Sequence, residues 1–212
     1  MKKLGIFDID FTITRKETLI QFFIYMIKKD YKNIRFIPRA LFSAILYGIR
    51  VYDEKKVKES FLKFIENKKE DELKEIASGF YEEVLSKILY KDALDKIKEL
   101  KKSGYEIYLI SASPEFYLNE FYKIKEVSQI IGTKYVFEDG IFIRKMLGEN
   151  CKGDEKVIRL KKHLKENNIE VDFENSLMFS DSLSDKPLLD LVGKGYLINY
   201  KKRADYEILN WK

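Results

Sequence analysis

The stretch GIFDIDFTIT, residues 5–14, puts two carboxylates, Asp8 and Asp10, at the end of an apolar run. KLGIFDI (3–9) has the near-continuous hydrophobicity of a strand buried on both faces of a parallel sheet. If the strand stays extended to residue 10, both carboxylates leave from the same face. Like charges held that close repel, and burying them unpaired is costly. The stretch therefore predicts an α/β fold whose first strand ends at a site that supplies positive charge.

The rest of the chain fits that fold. Residues 16 to 100 read as helical, with TLIQFFIYMIKK (18–29) and PRALFSAILYGIR (38–50) apolar almost all round and 55–66 and 70–89 more amphipathic. The period then changes. YEIYLIS (105–111) and IIGTKYVF (130–137) read as strands, and EDG (138–140) turns the second into IFIRKM (141–146) as a hairpin. A charged helix (154–166), the strand SLMFSD (176–181), a short helix (184–192) and GYLIN (195–199) follow. Strands alternating with helices predict a Rossmann-like parallel sheet with a long helical stretch inserted after the first strand. The expected division is residues 1–15 and 90–212 as the core and 16–89 as the insertion.

Composition bounds the function. The chain has 212 residues, of which 45% are hydrophobic and 14% aromatic, enough for a substantial core. The single cysteine, Cys151, allows no internal disulfide and suits a reducing cytoplasm. The apolar stretch before Asp8 is too short for a signal peptide, so a cytoplasmic protein is expected. There is no glycine-rich dinucleotide fingerprint and no Walker A loop. The net charge is +5, yet residues 16–58 alone hold ten Lys/Arg and four Asp/Glu. Such a segment is either a solvated lysine-rich surface or faces an anionic partner.

Polar residues fall where this fold places chemistry, outside the carboxyl ends of the strands. Asp8 and Asp10 end the first strand, Ser111 and Ser113 the second, and Asp181 a later one, with Asp185 four residues on. Lys152 and Lys156 precede or open the charged helix. Carboxylates converging with a lysine and a hydroxyl suit a hard divalent cation, and Mg²⁺ binds through one or two carboxylates plus substrate phosphate. A cation and a lysine would make the two clustered aspartates tolerable.

DIDFT, LISAS, a downstream lysine and SDSLSD, in that order, resemble the four motifs of the haloacid dehalogenase superfamily of phosphohydrolases. SASPEFYLNEFY, IIGT, DGIF and NCKGDEKVIRL resemble subfamily IB, the phosphoserine-phosphatase-like members with a helical cap of the C1 type. The resemblance implies a Mg²⁺-dependent phosphomonoesterase. Asp8 would be the nucleophile, Asp10 the general acid and base, Ser111 a phosphoryl ligand and Lys156 the residue holding phosphate and Asp8 together. Asp8, Asp10, Asp181 and Asp185 would form the metal site, Asp10 through its backbone carbonyl and Asp185 by orienting the lysine or metal waters. Thr12, Glu17, Ala112 and Lys152 would contact substrate. Lys152 and Lys156 both offer themselves for the lysine role, with Lys156 favoured because it opens the helix. Glu17 also suits a first-turn helix role, and SASP lacks the glycine pair that phosphoserine phosphatases carry after their serine.

The expected partner is a phosphorylated small metabolite of the phosphoserine class, with no nucleic acid. The alternative is a lipid phosphate such as phosphatidylglycerophosphate, which some subfamily relatives dephosphorylate, met at the inner face of an anionic membrane. A third reading is a non-catalytic phosphate-binding regulator. The apolar stretches 19–27 and 40–49 are too short to span a bilayer. They are expected to pack on each other over the site, or to touch a membrane interface. Lone His163 reads as a surface residue and Cys151 as structural.

Overall fold

A computed structural model describes residues 1–212. In chain order the strands are β1 (Lys3–Phe7), β2 (Tyr105–Pro114), β3 (Val127–Thr133), β4 (Tyr135–Glu138), β5 (Ile141–Met146), β6 (Leu177–Ser180), β7 (Lys194–Ile198) and β8 (Glu207–Leu209). The helices are α1 (Thr18–Lys29), α2 (Ile37–Gly48), α3 (Glu54–Phe61), α4 (Glu70–Glu83), α5 (Lys91–Lys102), α6 (Glu115–Leu118), α7 (Asp154–Glu166) and α8 (Lys186–Leu189).

Six strands form one parallel sheet in the order β3-β2-β1-β6-β7-β8. This is the doubly wound Rossmann-like arrangement, in which the strand order reverses beside β1 and leaves a crevice at the carboxyl ends of β1 and β6. β1 is central and buried on both faces, which is why its sequence is apolar without alternation. Leu4 and Ile6 pack on one side with Ile110, Met178, Leu160 and Leu188. Phe7 faces the other, where Phe7, Phe179 and Tyr196 stack in register across β1, β6 and β7 at 4.5 and 4.9 Å. Trp211 closes over this ladder from beyond β8.

Between β1 and β2 the chain runs through α1 to α5. The cluster around Phe7 continues unbroken into them through Tyr117 and Phe121 to Phe22, Phe64 and Phe80. The antiparallel hairpin β4–β5 stands apart from the main sheet and bonds to the insertion, with Phe142 N donating to Lys68 O at 2.8 Å and Arg144 Nε to Glu66 at 2.8 Å.

Four expectations need correction. The run 130–137 is two strands, β3 in the main sheet and β4 in the hairpin, parted at Lys134. The helix expected over 184–192 is a 3₁₀ turn, Leu183–Asp185, followed by the single turn α8. α2 packs chiefly on α3, with Ser43 Oγ 2.7 Å from Ser60 Oγ, rather than on α1. His163 is half-buried with its ring edge-on to Tyr108, not a free surface residue. No helix is long and apolar enough to cross a membrane.

Candidate active site

β1 ends at Phe7, and Asp8 extends it by one bond, its N–H donating to Phe179 O at 2.9 Å. The chain then turns sharply: the N–H groups of Thr12, Ile13 and Thr14 all donate to Ile9 O, and Phe11 takes φ +57°. The strand therefore does not stay extended to residue 10, and the expected exit of both aspartates from one face is overturned. Asp10 reaches the site from the turn. Its Oδ1 accepts the N–H of Thr18 at 2.6 Å, near the start of α1, and its Oδ2 accepts Ser113 Oγ at 2.7 Å.

Lys156 lies in the first turn of α7, placed there by Gly153 at φ +57° immediately before the helix. The side chain is buried, and its Nζ donates to Asp8 Oδ1 at 2.6 Å and Asp185 Oδ2 at 2.7 Å. Ser180 Oγ donates to the same Asp185 oxygen at 2.8 Å. Burial opposes the lysine's charge, but the two carboxylates outweigh it and hold the ammonium above its ordinary range. Burial pushes Asp8 up to about 8, aided by Asp185 and Asp10 and opposed by Lys156. Burial, with the charge of Asp185, raises Asp181 to about 6. One buried lysine is shared by two buried carboxylates, with Asp10 and Asp181 beside them, so this end of the cavity is short of positive charge.

Asp8, Asp10, Glu17, Ser111, Ala112, Lys152, Lys156, Asp181 and Asp185 line one cavity of about 160 Å³. Thr12 does not: it is fully buried and its Oγ1 has no partner. Ser111 Oγ is 3.5 Å from Asp10, farther than Ser113. Glu17 caps α1, accepting the N–H of Ile20 at 2.6 Å, and burial together with Asp10 raises it to about 7. Lys152 pairs with Glu54 at the exposed rim. The Ala112 carbonyl accepts Lys58 Nζ at 2.7 Å. Lys58, Glu54 and Ser113 also line the cavity. Nothing in the sequence distinguishes Lys58 from its neighbouring lysines, and only the packing of α3 over the strand ends places it here.

The donor set suits a hard cation. Six carboxylates and three lysines line the cavity, with no cysteine or histidine. No three His, Cys, Asp or Glu side chains form a ready ligand cage, and Mg²⁺ needs none, since it takes one or two carboxylates with water and substrate oxygens. Asp10, expected at the metal through its backbone carbonyl, has its side chain engaged by Thr18 and Ser113, and Asp185, expected to orient the lysine or metal waters, accepts from Lys156 and Ser180. Asp8, whose Oδ2 accepts no hydrogen bond from the protein, and Asp181 offer carboxylate oxygens that such a cation could use.

Residues 6–190 match the family model of haloacid dehalogenase-like hydrolases. Among curated proteins, the phosphoserine phosphatase SerB1 of Mycobacterium tuberculosis is 22% identical over 198 residues, 91% of this chain. The chain spans 63% of the length of that relative. A protein of unknown function from Bordetella pertussis superposes with a TM-score of 0.86 at 19% identity, covering 99% of this chain and 98% of that one. A substrate-bound phosphoserine phosphatase superposes with a TM-score of 0.66 at 17% identity, covering 98% and 93%. A matching family model over most of the sequence, a shared Rossmann-like fold and carboxylates gathered at the reversal of strand order lead to one assignment: the chain belongs to the haloacid dehalogenase-like hydrolases.

Proposed function

We propose that the chain is a Mg²⁺-dependent phosphomonoesterase working through an aspartyl-phosphate at Asp8. The observation that carries this reading is the placement of Asp8. It stands at the end of the central strand with Oδ1 held by buried Lys156, while Oδ2 takes no hydrogen bond from the protein beside the cavity. In the first step Oδ2 attacks phosphorus and the bond to the leaving oxygen breaks, with Asp10 delivering the proton to that oxygen. In the second, Asp10 takes a proton from water, whose oxygen attacks phosphorus and frees Asp8 and inorganic phosphate. Thr18 N–H and Ser113 Oγ hold Asp10 in place, and Lys156 and Ser111 bind phosphoryl oxygens. Mg²⁺, held by Asp8, Asp181 and the Asp10 carbonyl, would offset the phosphate charge that otherwise repels a carboxylate nucleophile.

Residues 16–89 act as a cap over a core of 1–15 and 90–212. This division is supported by Glu17, Glu54 and Lys58, which reach from the insertion into the cavity of Asp8. The polar cavity suits the phosphate and a short polar leaving group of the phosphoserine kind. A lipid phosphate is favoured by a separate observation, an apolar groove that continues from the same three cap residues. Chelation with EDTA is expected to abolish hydrolysis of an aryl phosphate, and added Mg²⁺ to restore it. Full turnover in excess chelator contradicts the metal requirement.

A further inference from the structure

α2 is apolar almost all round, and most of that surface is turned outward. Of its twelve residues only Ser43 is buried. Leu41, Phe42 and Ile45, with Ile49 just past the helix end, are each about 60% exposed, at 61%, 59%, 61% and 63%. Their spacing of three and four residues makes one continuous stripe. Ile34, Ile37 and Val51 extend it at either end, also exposed. A large exposed apolar patch on a folded chain marks a surface that meets something.

The charge around the patch says what. Residues 31–52 contain Lys32, Arg35, Arg39 and Arg50 and no aspartate or glutamate. A second copy docked through the same face would set this basic rim against itself. An anionic lipid surface offers apolar depth for the stripe and negative charge for the rim. Twelve helical residues extend about 18 Å, a length for lying in an interface rather than crossing it.

A groove runs beside α2 to the cavity carboxylates, with Tyr47, on the side of the helix away from the stripe, as its one α2 residue. It has a volume of about 260 Å³, and Leu19, Ile20, Val57, Phe61 and Tyr47 of α2 form its apolar walls. Its polar end is Glu17, Glu54 and Lys58, which also line the cavity of Asp8. We propose that α2 docks on an anionic bilayer and that the groove takes the apolar chain of a phosphomonoester drawn from it. The substrate-class part rests on the phosphomonoesterase reading, whereas docking does not.

Flotation with phosphatidylcholine vesicles, with and without phosphatidylglycerol, tests docking without any turnover. Binding is expected to the anionic vesicles alone and to fall with salt. It should weaken about fivefold in each of Lys32→Gln and Arg35→Gln. In the double variant Phe42→Ser/Ile45→Ser it should drop about 100-fold or more. Aryl phosphate turnover should be unchanged in all three variants, which shows that they fold. Equal binding to both vesicles, no binding, or a solution dimer that Phe42→Ser dissociates would overturn docking. For the groove, octyl phosphate should show a higher kcat/KM than phosphoserine with wild-type protein, and the reverse order overturns it. If wild type binds anionic vesicles but hydrolyses no phosphate ester, docking stands and the phosphatase reading fails.

Discussion

Lys156 and Lys152 sit four residues apart on opposite sides of a physical divide. Lys156 is buried between Asp8 and Asp185, so removing it strands two carboxylates in a low-dielectric site. Lys152 pairs with Glu54 at the rim, where solvent screens the interaction. Lys156→Ala is therefore expected to lose measurable turnover and about 3–5 kcal/mol of stability. Lys152→Ala should stay within about 1 kcal/mol in denaturant unfolding and keep most of its activity. The reverse ranking would transfer the phosphate-holding role to Lys152. Much of this site was legible at the level of residue type: the aspartates, the two serines and the lysine pair lie at strand ends and a helix start, where the α/β pattern places chemistry. Two features were not. That Asp10 arrives through a turn depends on Phe11 adopting a left-handed backbone, which its residue type does not announce. That Lys58 enters the cavity depends on how α3 packs.

Among the elements, those with strong local signals appeared where the pattern put them. α1 begins at Thr18 beside its Glu17 cap, and α7 covers Asp154–Glu166 after Gly153. Elements that depend on distant partners were less legible. β3 and β4 share an apolar run and differ only in which neighbour supplies their hydrogen bonds. β8 is three residues long and is recognisable only by its pairing with β7. The outward face of α2 escaped the expectation of mutual packing because an all-apolar helix reads the same whether buried or bared. The ladder of Phe7, Phe179 and Tyr196 supports the strands that carry Asp8 and Asp181. Phe179→Ala should cost about 3–5 kcal/mol in chemical denaturation. A loss under about 1 kcal/mol would show that the ladder contributes little to holding these strands.

For the protein as a whole, the carboxylates lining the cavity set how stability responds to pH. Without metal, Asp181, Glu17 and Asp8 are raised to about 6, 7 and 8. In the unfolded chain they lose their protons near the ordinary carboxylate range of about 4. Between these limits the folded state binds more protons than the unfolded one, so stability falls as pH rises from about 4 to about 8. A divalent cation favours the ionised carboxylates, so Mg²⁺ should raise the Tm more at pH 8 than at pH 5. Thermal melts with and without Mg²⁺ across that range check this, and a Tm insensitive to both would contradict it.

The proposed mechanism turns on a covalent phosphoryl-enzyme at Asp8. Borohydride reduces an aspartyl-phosphate to homoserine, a change that peptide mass spectrometry locates in the sequence. Enzyme quenched with borohydride during steady turnover of an aryl phosphate is predicted to carry homoserine at position 8 and at no other aspartate. Its absence without substrate serves as the control. Unmodified Asp8 in an enzyme that is turning over, or homoserine at Asp10 or Asp181 instead, would exclude Asp8 as the nucleophile and move that role to water or to another carboxylate.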